Sequence, residues 1–458
     1  MASARGEIDP GIERVLAALE AVGSPHKELA GRLLHVAGTN GKGSVCAMVF
    51  AALKEAGLSV GSFNSPHLEE PLDAVRLASS GCDVPVDPKV WAGLEEEVLR
   101  ACKLDLPSSD EQIALTSFEL QVLTVLLLFA RQRVDAAVLE VGLGGRADAT
   151  NVLVHPAACG ITGIAMDHQN FLGTSAEEIA HHKAGIFKQG SPALISTARM
   201  SESVRAVIAE CAHQAGASPV RWVEEAHAIP ESSLGRAGQS MRIDGFTGDL
   251  FVPLLGDFQR SNAALALAML QELRAKGPPL QSASGKFLDE SVLDDATIAA
   301  GFAATCWRGR LDWCELPGVG SVLVDGAHNV EAAEALGQYV DEAIRHQGPS
   351  QRAVTWVIGM SAGKDAAGVL QQLLHDEDSV LAVTFGEVAG MPWVRCQPAA
   401  DLAAVARSVR PGLRRSEGSF ANLLAALQAA LSDAPASQVV VCGSLYLVAD
   451  FMRLLRST

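Results

Sequence analysis

The undecapeptide His-Val-Ala-Gly-Thr-Asn-Gly-Lys-Gly-Ser-Val at residues 35–45 holds the side chains best suited to gripping a phosphate. Its glycines let the backbone approach anionic oxygens, a following helix would aim N–H donors at them, and Lys42 adds a point charge. Gly38, Thr39, Asn40, Gly41, Lys42, Gly43 and Ser44 therefore read as a phosphate loop. It is not the standard Walker arrangement, because Gly43 stands between the lysine and the serine. An ordinary strand-to-helix turn is the bland alternative.

Glu140 closes an apolar run and is followed, after Val141, by Gly-Leu-Gly-Gly. A carboxylate at the carboxyl end of a strand in an open α/β sheet lies where ligands bind, and it suits a magnesium ion bridging nucleotide phosphates. A dinucleotide-binding glycine turn competes with this, but the acid beside the glycines would repel a pyrophosphate. Asp148 and Asn151 fit a local turn cap equally well. Asp167 and His168 end another apolar run, and a neutral His168 suits a magnesium or phosphate neighbour. Thr174 and Glu177 have capping-box spacing, which predicts a helix over residues 175–184. Lys183 would then sit on the last turn and face the strand ends. His181 and His182 read as solvated, and a lone helical lysine usually is too.

Such groups need strands to present them. Residues 33–36, 134–141 and 159–166 read as buried strands, and 44–56 and 117–129 as helices. Strands alternating with helices predict a mainly parallel sheet covered by helices. The pattern turns irregular over 218–251, with strand-like runs at 241–243 and 250–253, before a helix at 262–275. Residues 277–286 read as a polar loop. A second α/β series begins near Trp307, with strands at 321–325, 354–358, 380–385 and 438–442. The expected domains are residues 1–305 and 306–458.

The 458 residues exceed one ordinary core, and 48% hydrophobic with 19% charged residues describes a folded protein. A net charge of −17 argues against nucleic-acid binding. It also means that any anion site must gather cations and helix N-termini locally. Nine cysteines without a CxxC pair suggest reduced thiols rather than a disulfide framework or zinc site. The first residues lack a signal-like apolar run, and the apolar stretch 122–130 is too short for a membrane. A soluble, cytoplasmic protein is expected.

Gly-Thr-Asn-Gly-Lys-Gly-Ser, Ser-Pro-His-Leu (65–68), Glu-Val-Gly-Leu-Gly-Gly-Arg-Ala-Asp-Ala-Thr-Asn, Asp-His with Lys-Ala-Gly-Ile, and Asp-Gly-Ala-His-Asn (325–329) follow one another in that order. This series resembles the folylpolyglutamate synthases, a family that includes bifunctional dihydrofolate synthases and belongs to the Mur ligases. The resemblance implies an α/β fold of Mur type, with a P-loop-type ATPase domain containing a mainly parallel sheet and a smaller Rossmann-like C-terminal domain. It implies a monomer that uses ATP and two magnesium sites to add L-glutamate to the γ-carboxylate of a reduced folate, tetrahydrofolate or folylpolyglutamate. Dihydropteroate is the alternative acceptor, alone or as a second activity.

Residue by residue, the resemblance implies ATP contacts at Gly38 to Ser44, Gln259, Asn262, Arg310, Asp325, His328 and Asn329. It implies metal ligands at Ser44, Ser65, Glu140 and His168, and carbamylation of Lys183. Lys42, Lys183, His168, Arg310 and His328 would carry the catalysis. The chain departs from the family at Leu72-Asp73-Ala74-Val75-Arg76, at His182 where a glutamate is usual, and at Gly363-Lys364-Asp365.

Overall fold

The computed structural model describes residues 12–104, 115–229, 236–275, 291–346, 352–433 and 437–457. Its largest sheet contains β1 (Leu33–Ala37), β2 (Val60–Phe63), β3 (Val75–Ser79), β4 (Cys82–Val84), β5 (Ala136–Glu140), β6 (Ala158–Ile161), β7 (Ala193–Ser196) and β8 (Val220–Val223). The order is β4-β3-β2-β5-β1-β6-β7-β8. From β2 to β8 the neighbours are parallel, while at one edge β3 runs antiparallel to β2 and β4 antiparallel to β3. Every residue of β1 and β5 is buried, which explains their continuous apolar runs. Val36 lies opposite Glu140 and Ala37 opposite Ile161, so β5, β1 and β6 end level with one another. The chain leaves β1 toward β2 on one side, while β6 joins on the other. That divergence opens a crevice at the carboxyl end of β1.

The helix Lys42–Glu55 is buried from Ser44 through Leu53. An apolar circumference of this kind demands cover on all sides. The sheet supplies one side, and the helices Phe258–Ala275 and Asp295–Ala303 supply others. On the opposite face lies the helix Ser117–Arg131, started by a reciprocal Thr116–Glu119 capping box. A small antiparallel sheet of β9 (His227–Ala228), β10 (Gln239–Arg242) and β11 (Leu250–Val252) adds Met241, Leu250 and Val252 to the core around Lys42–Glu55.

The last sheet holds β12 (Asp312–Leu316), β13 (Gly320–Val324), β14 (Val354–Ile358), β15 (Ser379–Ala382), β16 (Arg415–Glu417) and β17 (Gln438–Cys442), ordered β12-β13-β17-β14-β15-β16. Only β12 is antiparallel to its neighbour. Beneath it, the fully buried Asp378 accepts hydrogen bonds from both terminal nitrogens of Arg345, from Trp356 Nε1 and from the backbone of Val354 and His375.

Several expectations shift. The phosphate-loop helix begins at Lys42, ahead of the expected residue 44. The strand expected over 159–166 stops at Ile161, because the next residues leave the sheet to hold the phosphate loop. The capping box falls one residue later than expected. Ser175, with extended backbone, accepts from the Glu178 N–H, while Thr174 N donates to the Glu178 carboxylate. The expected loop 277–286 lies outside the described residues. Among the described residues no helix is long and apolar enough to cross a membrane, and the nine cysteines are free thiols.

Candidate active site

The phosphate loop is stitched to the segment that follows β6. Thr39 N donates to Gly163 O at 2.8 Å, Ala165 N donates to Thr39 Oγ1 at 3.0 Å, and Thr162 Oγ1 donates to Asn40 O at 2.7 Å. Gly41 has φ of +90°, a left-handed conformation that favours glycine, and its missing Cβ leaves room for the Asn262 side chain. The unexpected Gly43 also has a packing reason. A Cβ there would lie 2.6 Å from the ring of Trp307, which arrives from far along the chain.

Lys42 curls back, donating to Thr39 O at 3.1 Å with its ammonium 3.7 Å from Glu140 Oε1. The other Glu140 oxygen accepts from Asn64 Nδ2 at 3.0 Å, and Ser62 Oγ in turn donates to Asn64 Oδ1. This orients the carboxylate at the tip of β5. Ser65 follows directly, and its buried hydroxyl finds no partner among the described residues. Ser44 Oγ accepts from Gln259 Nε2, whose amide oxygen accepts from Asn262. Gln259 is fully buried, so it supports the loop from behind, while Asn262 reaches the cleft.

Lys183, on the last turn of the helix Ala176–Ala184, is buried and donates to Gly38 O at 2.7 Å. Burial, reinforced by the nearby Lys42 ammonium, lowers its pKa to about 7. His168 adopts φ of +51° at the cleft wall, and burial lowers its pKa to about 4 against the opposing pull of Asp167. Burial would raise Asp167, but the nearby His328, His168 and Lys364 hold its carboxyl well below the usual range.

The six-stranded unit closes the other side. Asp325 follows β13 and spends its oxygens on the N–H groups of Leu311 and Ala327, so it shapes the loop carrying His328. Burial raises its pKa, with Arg310 working in the other direction. His328 Nδ1 donates to Gly326 O, leaving Nε2 3.6 Å from Asp167. Asn329 bonds reciprocally with Asn40 and donates to Asp167. Lys364 Nζ lies 2.6 Å from Asp167, and Glu331 accepts from Asn40 at 2.6 Å.

A single cleft of about 670 Å³ is lined by the phosphate loop, Ser65, Glu140, His168, Lys183, Asn262, Arg310, Asp325 and His328. Gln259 and Asn329 stand behind its wall. Sequence reasoning did not single out Asn64, Trp307, Glu331 or a site role for Lys364. Asn64 had a signal, being adjacent to Ser-Pro-His-Leu. For the others only tertiary proximity identifies the contact. Asp148 is buried and binds the N–H groups of Leu143 and Thr150, which makes it an anchor of the glycine turn.

The donor set suits magnesium arriving with a nucleotide. Ser44, Ser65 and Glu140 offer hard oxygens, one hydroxyl is unspent, and among the described residues no group of three or more His, Cys, Asp or Glu could hold a metal alone. Magnesium commonly takes one or two carboxylates and completes its shell with phosphate and water.

A parallel sheet with an anion cradle at its topological switch, capped by a second α/β unit, defines a nucleotide-using ligase of the Mur class. The Mur ligase middle domain matches residues 91–270, and the dihydrofolate synthetase C-terminal domain matches residues 317–454. A probable dihydrofolate synthetase of Schizosaccharomyces pombe is 31% identical, with 98% of this chain and 99% of the relative aligned. The chain belongs to the folylpolyglutamate synthase/dihydrofolate synthase family. The Mycobacterium tuberculosis folylpolyglutamate synthase complexed with ADP superposes with TM-score 0.79 at 28% identity, covering 98% of this chain and 95% of that one. A bifunctional Yersinia pestis enzyme of the same family, complexed with AMPPNP and a manganese ion, gives TM-score 0.75 at 30% identity, covering 100% and 95%.

Proposed function

We propose that this protein joins L-glutamate to the carboxylate of a folate-type acceptor, driven by ATP. The convergence of Lys42, Glu140, Ser65, Lys183 and His168 with Arg310 and His328 on one cleft carries this reading. A carboxylate is a poor electrophile, so it must first be activated. An acceptor carboxylate oxygen attacks the γ-phosphorus, the bond to the bridging oxygen breaks, and ADP leaves. The deprotonated amine of L-glutamate then attacks the acyl carbon, and the carbon–oxygen bond breaks to release phosphate.

Such chemistry is mostly positioning and charge stabilisation. Lys42 and the loop N–H groups hold the phosphates, Arg310 offsets charge on the group in transit, and Asn262 and Gln259 brace the loop. Ser44, Ser65 and Glu140 would hold one magnesium ion, with a second near His168 and a carbamylated Lys183. Magnesium, when bound, draws off phosphate negative charge. The lowered pKa of Lys183 supports carbamylation, since only a neutral amine attacks CO2. His328 and Asn329 reach across from the C-terminal part, so closure of two domains (residues 1–305 and 306–458) would exclude water. The helix Asp295–Ala303 packs on Lys42–Glu55 while the last sheet begins at Asp312, which supports that division. The setting is a cytoplasmic monomer acting on small molecules, without membrane or nucleic acid.

The acceptor by first reading is tetrahydrofolate or its polyglutamates. Dihydropteroate is favoured by a specific observation, the match of residues 317–454 to a dihydrofolate synthetase C-terminal domain. ADP release measured with each acceptor, with and without L-glutamate, decides between them. Glutamate-dependent turnover is expected on at least one, and none on either would refute the proposal.

A further inference from the structure

The segment between β2 and β3 contributes Ser65 at one end and is gripped by the C-terminal helix Leu445–Ser457 at the other. Arg453 Nη2 donates to Glu69 O at 2.8 Å, and Arg456 Nη2 lies 2.6 Å from Glu69 Oε2. Arg453 is itself set in place by Asp450, whose other oxygen accepts from Gly386 N. Leu68 packs against the core of the six-stranded unit, and Asp73 accepts from the N–H groups of Glu69 and Glu70. Four residues from its metal-facing end, therefore, this segment is fastened to a different sheet. Within residues 64–74, Asn64 is held by Glu140, Ser62 and the Ala74 carbonyl, and Pro71–Ala74 forms a short turn, so Ser65 hangs between that anchor and the one at Glu69.

We propose that Arg453, aided by Arg456 and Glu69, is a positioning residue for Ser65, coupling the seating of the C-terminal unit to assembly of the magnesium site. The inference rests on Ser65 being a metal ligand, as read above. The Arg456 pair is exposed on the arginine side and holds weakly by itself. Arg453 is better placed, because its guanidinium bonds a backbone carbonyl and is oriented by a carboxylate.

Manganese serves as the probe, titrated into the full chain saturated with a non-hydrolysable ATP analogue and followed by the resonance of the free ion. Arg453→Met keeps the apolar stem and is expected to weaken manganese binding about ten-fold, the worth of one charge-assisted hydrogen bond. Arg453→Lys should restore most of it. In a Ser65→Ala background, Arg453→Met should add no further loss, because its effect passes through that hydroxyl. Additive losses overturn the inference, since a general structural lesion would not depend on Ser65. So does normal binding in Arg453→Met while Ser65→Ala binds poorly. If Ser65→Ala itself binds manganese normally, the metal assignment fails and takes the inference with it. Should Arg453→Met not fold, Asp450→Asn, which removes the carboxylate charge that orients Arg453, carries the same cycle with a smaller expected loss.

Discussion

Removing dissolved CO2 should inactivate this enzyme reversibly, and Lys183 sets the size and pH dependence of the effect. Carbamylation proceeds when the neutral amine attacks CO2 and loses a proton, replacing an ammonium with an anionic carbamate. At pH 8, an ordinary lysine of pKa about 10.4 is neutral in only roughly 0.4% of molecules. With its pKa lowered to about 7 by burial and by Lys42, Lys183 is neutral in roughly 90%, about 200-fold more. The sign follows from the direction of the shift. Lowering the pH from 8 to 6 reprotonates the amine and shrinks the reactive pool about ten-fold. Protein stripped of CO2 and assayed at pH 6 and 8, with and without CO2 supplied at the same dissolved concentration at both pH values, should recover activity on CO2 addition, faster at pH 8. Isotopically labelled CO2 should give a carbamate carbon signal that Lys183→Arg lacks. Full activity in CO2-free buffer together with no labelled carbamate would refute the assignment.

Lys42→Ala should abolish turnover while leaving the melting temperature close to that of the parent, and near-normal rates would remove the phosphate-loop assignment. Gly43→Ala would force its new methyl to within 2.6 Å of the Trp307 ring, displacing loop or ring. A shift near 1 Å at the phosphates can cost about 100-fold in kcat/KM for ATP, which initial rates would show, and adding Trp307→Leu should recover part of it. Arg345→Met leaves the buried Asp378 carboxylate without its cation, so urea unfolding should show a loss of about 3–5 kcal/mol with nucleotide binding preserved.

The local chemistry was legible in the chain. Residues 38–41 form a turn at the end of β1 that runs into the helix at Lys42, two residues ahead of its expected start, and Glu140 ends β5 as its place after an apolar run implied. The strands 354–358 and 438–442 were read with their observed limits, because strands buried on both faces announce themselves by unbroken apolar runs. The strand at 159–166 was read too long, since an apolar run does not reveal that Thr162 to Ala165 have left the sheet to bind the phosphate loop. The three-stranded sheet was partly visible, as its residues pack against a helix remote in sequence.

What the sequence alone determined was a cradle made of nearby backbone donors, glycines and a lysine, because each of those properties is local. Burial and charge are not local. The lowered pKa of Lys183 comes from burial and from Lys42, more than 100 residues earlier, and the tolerance for Gly43 depends on Trp307. The union of Asp167 with His328 and Lys364 likewise exists only once two sheets face each other. Tertiary structure decided these features, since electrostatic environment and close packing are set by whichever residues the fold brings within a few ångströms.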